Sequence, residues 1–164
     1  MPEEIVSRIL RLPGYGVYGF VVDVLAVEAI SDIAVLGTPD TQMFEESLNW
    51  QEALNSIEPV SICTEAFPPN EPFPVHILTH DKSWVDGLAE AQLFGGWALQ
   101  VKASAGIVGG TSGGPVVTDD GLLLAVVSSS GGTVGKEPCE VTVTRLSQTV
   151  PAWLLREMLG GGAS

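Results

Sequence analysis

Residues 109–127 constrain the fold more than any other part of the chain. Val116-Val117-Thr118 and the run from Leu122 to Val127 are apolar and rich in β-branched residues, and Asp119-Asp120-Gly121 separates them. Asp-Gly between two such runs signals a tight β-hairpin. Immediately upstream lies Gly-Gly-Thr-Ser-Gly-Gly-Pro, residues 109–115, with Ser112 at its centre. Four glycines leave little side chain to pack, and glycine permits positive φ and close approach of another chain. Gly/Ser-rich stretches are commonly flexible linkers, but a linker is not normally followed at once by a long apolar hairpin. The arrangement predicts a serine on a turn that enters a buried hairpin.

A core of that kind needs apolar material. Of the 164 residues, 45% are hydrophobic and only 16% charged, which suits one domain or two small subdomains. Nineteen glycines and eleven prolines cut the chain into short segments, favouring an all-β fold. The net charge of -13 argues against a nucleic-acid partner and against anionic membrane surfaces. No apolar run is long enough to span a membrane. Residues 1–11 lack a basic segment followed by an apolar core, so no signal peptide is visible; a chain truly starting at Met1 is expected in the cytoplasm. Cys63 and Cys139 admit either one disulfide or two buried thiols. His76, His80 and Asp81 are the only clustered metal-capable residues, and no metal site or cofactor is expected from them.

Along the chain, Pro2-Glu3-Glu4 followed by Ile5, Val6, Ile9 and Leu10 has the marks of a helix start, although a strand fits as well. Residues 15–30 suit one or two strands, and Asp32-Ile33-Ala34-Val35-Leu36 reads as a short strand with a carboxylate at its entrance. Residues 46–59 read as a crossing linker with a turn of helix, closed by Glu58-Pro59. Strands are expected at 60–63, 75–79, 84–93, 97–102 and 140–145, with a proline-heavy loop at 67–74. A helix is expected over 151–159.

A serine hydroxyl is a poor nucleophile unless a base takes its proton and a third group orients that base. Ser112 has backbone donors around it: the N–H groups of Gly110 and Ser112 are placed to hold an oxyanion. Asp32 is a candidate orienting carboxylate, or equally a solvated cap. Gly110-Thr111-Ser112-Gly113-Gly114 also fits the Gly-x-Ser-x-Gly pattern of esterases, but that class needs a helix after the serine. Here Pro115 and a hairpin follow.

Residues 110–117, Gly-Thr-Ser-Gly-Gly-Pro-Val-Val, resemble the nucleophile loop of trypsin-like serine proteases, nearest the bacterial HtrA-like and related peptidases. Residues 32–36 resemble the segment carrying the aspartate of their triad. The resemblance covers residues 17–158. It implies an all-β, chymotrypsin-like double Greek-key barrel: a partial N-terminal barrel at 1–45, an interbarrel linker at 46–59, and a C-terminal barrel with terminal helix at 60–160. It further implies Ser112 as nucleophile and Asp32 as the residue that holds the base, with oxyanion donors from Gly110 and Ser112. Ser128, Ser129 and Ser130 become the segment that pairs with substrate as an added strand. Gly106 becomes the pocket floor, with Thr133 or Val134 nearby, which favours uncharged substrate side chains. Thr111 stands where secreted trypsins have aspartate, so activation by a buried N-terminal ammonium is not expected.

The departure from the family is the base. Its histidine precedes the aspartate, yet residues 1–31 contain no histidine. His76 and His80 both follow Asp32. His80 ends an apolar strand near where the cleft is expected, but the family brings its base from the other barrel. Two functions follow: a serine endopeptidase, truncated and weak or inactive alone, or a non-catalytic relative that binds extended peptides or a protein partner. An incomplete first barrel also exposes strand edges, so self-association is expected.

Overall fold

The computed structural model describes residues 8–10, 20–28, 33–37, 44–67, 71–107, 109–130 and 138–150. Packing divides the chain into two compact units, residues 1–29 with 34–59, and residues 30–33 with 60–164.

The first unit holds most of a three-stranded sheet in the order β1-β2-β3, formed by β1 (Arg8–Leu10), β2 (Phe20–Glu28) and β3 (Ile33–Gly37). Strands β1 and β2 are antiparallel, with Ile9 opposite Val21. Both readings of the N-terminus had been open; residues 8–10 are strand. Residues 46–59 hold more helix than the single turn expected. Helix α1 (Phe44–Asn55) runs for 12 residues. Among its described side chains Ala53 is buried, while Leu48 and Leu54 are exposed. The helix ends where Ser56 turns back, its hydroxyl donating to the carbonyl of Ala53 at 2.7 Å. Pro59 forbids any continuation.

The second unit is a closed antiparallel barrel of six strands: β4 (Phe73–Leu78), β5 (Trp84–Leu93), β6 (Ala98–Ala103), β7 (Pro115–Thr118), β8 (Leu123–Ser130) and β9 (Cys139–Arg145). The order around the barrel is β4-β5-β6-β9-β8-β7, closing back on β4. Strands β4, β5 and β6 are consecutive neighbours, and β7 returns to lie beside β4. That is a Greek key. Alternation sends Val75, Ile77, Val101, Val116, Val141 and Val143 into the interior, where each is fully buried. The Asp-Gly hairpin forms as its sequence predicts, with Gly121 at φ +77 and Val116 opposite Ala125.

The proline-heavy stretch was expected to be loop up to residue 74, but Phe73 and Pro74 belong to β4. Pro74 is opposite Leu88 of β5, while β7 pairs only with residues 75–77. The missing N–H of Pro74 therefore breaks no ladder bond on the β7 side. The expected strand at 60–63 is reduced to a single bridge, Ile62 to Leu123. Short helix α2 (Leu146–Thr149) follows β9; the helix expected at 151–159 lies outside the described residues. Cys63 and Cys139 are free thiols. No helix among the described residues is long and apolar enough to cross a membrane.

Candidate active site

The crossover from β6 to β7, residues 104–114, carries the glycine-framed serine onto one end of the barrel. Its anchor is Thr111, which is 3% exposed. The Thr111 carbonyl accepts from the N–H of Gly114 at 2.7 Å and closes a four-residue turn with Ser112 and Gly113 at its centre. Gly113 has φ +81, as the third position of a type II turn requires. Two further bonds fasten the turn to β8: Gly113 N–H to the Val127 carbonyl at 2.8 Å, and Val127 N–H to the Gly114 carbonyl at 2.9 Å. Ser112 is thus held at the apex of a pinned turn with its side chain in solvent.

Gly110 precedes the turn with φ +95, a conformation that side chains resist. Among the described residues, the N–H groups of Gly110 and Ser112 donate to no backbone acceptor, whereas those of Gly113 and Gly114 are both spent within the fold. The two unspent donors are the pair singled out from sequence as oxyanion holders.

Ser128, Ser129 and Ser130 extend β8 beyond the serine loop. Strand β7 begins at Pro115, opposite Val126, so β7 does not reach them. On the other side, Ser129 pairs with Thr142 and Ser130 with Val141, after a bulge at Ser128. One edge of this segment therefore has no strand partner among the described residues. Gly106 is half-buried next to buried Ile107; Thr133 and Val134, its expected neighbours, lie outside the described residues. So does Asp32.

The structure brings in a residue whose position the sequence argument had counted against it. Antiparallel β4 and β7 place Ile77 opposite Val116, so the end of β4 lies beside the start of β7. The hairpin that follows β4 consequently meets the serine loop. His80 donates its backbone N–H to the Thr111 hydroxyl at 3.2 Å. A Cβ built on Gly110 would lie 3.4 Å from His80 Cδ2 and 3.6 Å from Cγ. The imidazole stands where a side chain on the candidate oxyanion glycine would meet it. Its ring nitrogens have no partner among the described residues. The sequence marks Thr79-His80-Asp81-Lys82-Ser83 as a polar turn between two apolar strands, but the β4–β7 pairing that sets it beside Thr111 is non-local.

Asp81 does not orient that ring. Its carboxylate accepts from the hydroxyls of Thr79 and Ser83 and from the N–H of Ser83, which together lower its pKa to about 2. His76 is occupied as well. Its Nδ1 lies 2.8 Å from Asp86 Oδ1, and its Nε2 lies 2.9 Å from Asp119 Oδ1. The hydrogen bond with Asp86 and then that with Asp119 raise its pKa. An imidazole that donates from both nitrogens is a cation and has no lone pair for a proton. A cleft of about 470 Å³ opens elsewhere, over Val75, Gly87 and Ala103, and none of Ser112, Gly110 or His80 lines it. No cluster suited to a metal ion exists among the described residues. Comparison with known protein families found no model that matches the chain, and comparison with curated proteins found no match either.

Proposed function

We propose that this protein is a serine endopeptidase of the trypsin-like class, cleaving peptide bonds through an acyl-enzyme on Ser112. One observation carries the reading: a Greek-key crossover holds Ser112 exposed at the apex of a turn pinned to β8, between the unspent N–H groups of Gly110 and Ser112. In this reading Ser112 Oγ attacks the substrate carbonyl carbon. The two N–H groups stabilise the oxyanion that forms, a contribution commonly worth about 3–4 kcal/mol for each donor removed. The open edge at Ser128–Ser130 receives the substrate as an added strand. Gly106 forms the pocket floor and Asp32 orients the base. The finer fold assignment, a double barrel with the β1-β2-β3 sheet as a partial first barrel, belongs to the same proposal, and the β7-β4-β5-β6 order supports it.

A second reading, non-catalytic binding of an extended peptide, rests on the Ser128–Ser130 edge, which has no strand partner on one side among the described residues. Incubation with a mixed peptide library, followed by mass spectrometry, separates the two. Cleavage that disappears in Ser112→Ala supports the endopeptidase. Peptide retention without cleavage, equal in both proteins, supports the binding module and overturns the first reading.

A further inference from the structure

We infer that His80 is the proton-transfer group of the Ser112 site, supplied from within the same barrel. This rests on the reading of Ser112 as nucleophile. The β4–β7 register sets both groups at one end of the barrel, and the bond from His80 N–H to the Thr111 hydroxyl fastens the two loops together. His80 and Ser112 are both exposed, and neither side chain has a hydrogen-bond partner among the described residues. The imidazole lies beside Gly110, 3.4 Å from where a Cβ on that residue would stand, and Ser112 is two residues further on, a span of at most about 7 Å. Rotation about the two side-chain torsions of His80, or one intervening water, covers that distance. His76, with both nitrogens given to Asp86 and Asp119, is excluded from the role.

The step balances. As Ser112 Oγ bonds to the carbonyl carbon, its proton passes to the free imidazole nitrogen and the C=O π pair becomes the oxyanion. When the oxyanion collapses, the C–N bond breaks and the imidazolium returns that proton to the leaving amine. Water then attacks the acyl-enzyme, gives its proton to His80, and Ser112 leaves with it. Asp81 and Lys82 are the charged groups on the turn that carries His80, with Asp86 and Glu90 further along the same hairpin, and the described part of the serine loop carries none. With Asp81 turned to Thr79 and Ser83, no described carboxylate orients the ring. Asp32, which lies outside the described residues, keeps the orienting role proposed above; in a worked serine protease, replacing that aspartate lowers turnover on the order of 10⁴-fold.

The test is the rate at which a fluorophosphonate labels Ser112, measured by intact mass across the pH range where imidazoles titrate. His80→Ala and His80→Gln are compared with the wild-type chain, each checked for folding by its melting curve. The expected result is wild-type labelling that rises as the imidazole deprotonates, and labelling about 10²-fold slower and pH-independent in both variants. Added imidazole should restore part of the rate in His80→Ala, where the vacated space lies against Gly110. Equal rates and pH profiles in folded variants would overturn the role of His80 while leaving Ser112 as nucleophile. Absence of wild-type labelling at every pH would overturn both.

Discussion

Gly114 is where the geometry of the serine turn is least forgiving. A Cβ added there would lie 2.7 Å from the Leu78 carbonyl oxygen and 2.7 Å from the Thr111 carbonyl oxygen, with Thr111 Cγ2 at 3.2 Å. Both oxygens are backbone, so neither moves without moving a strand end or the turn itself. Forcing a methyl group into such a space costs about 1–3 kcal/mol. The bond from Gly114 N–H to Thr111 would be strained or lost, adding about 1 kcal/mol. Gly114→Ala is therefore expected to cost about 2–4 kcal/mol, or a fall in Tm of roughly 5–15 °C for a chain of this size. Gly113→Ala is the control. Its Cβ would meet nothing within 4 Å, and only its φ of +81 opposes substitution, at about 1–2 kcal/mol. Calorimetric melts of both variants give the comparison. A Gly114→Ala melt like wild type, or one less affected than Gly113→Ala, would refute this account of the turn.

Thr111→Val removes the hydroxyl that accepts from His80; a loss of about 1 kcal/mol is expected in urea unfolding, with faster amide exchange at His80. Arg145→Ala should cost about 2–4 kcal/mol in the same assay. The buried guanidinium donates to the Glu65 carbonyl at 2.9 Å and lies 5.7 Å from the centre of the Phe67 ring, and its loss leaves that carbonyl unpaired. His76 predicts a pH dependence. Its folded pKa is raised, so its contacts with Asp86 and Asp119 stabilise fully below the unfolded imidazole value of about 6.5 and are lost as pH rises through the higher folded value. Wild-type Tm should fall more than that of His76→Gln between about pH 6 and pH 9, by a small margin because the cluster is half-exposed.

The barrel was largely legible because its information is local. The Asp119-Asp120-Gly121 turn, the alternating Val and Thr of β9 and the Gly95-Gly96 break between β5 and β6 each specify a strand or turn from neighbouring residues. Helix α1 was not legible. Its apolar residues are sparsely spaced, and among its described side chains Leu48 and Leu54 face solvent and only Ala53 is buried. Pro74 misled because its tolerance in β4 depends on where β7 stops, a fact set by pairing between distant strands. The same physics explains His80. Ser112, Gly110 and the Ser128–Ser130 edge follow from one contiguous stretch of chain. His80 comes beside Thr111 and Gly110 only because Ile77 falls opposite Val116, and no local pattern encodes that register.

The central claim is that Ser112 is a nucleophile. Its most direct measurement is intact-mass analysis after fluorophosphonate treatment, with the modified peptide mapped by fragmentation, on wild type and on Ser112→Ala. The substitution is at the surface and should leave stability within about 0.5 kcal/mol, so a folding defect will not confuse the result. The account predicts one adduct per chain, located on Ser112, and none in Ser112→Ala. An unmodified wild-type chain beside a labelled protease control, or an adduct on another residue that persists in Ser112→Ala, would contradict it.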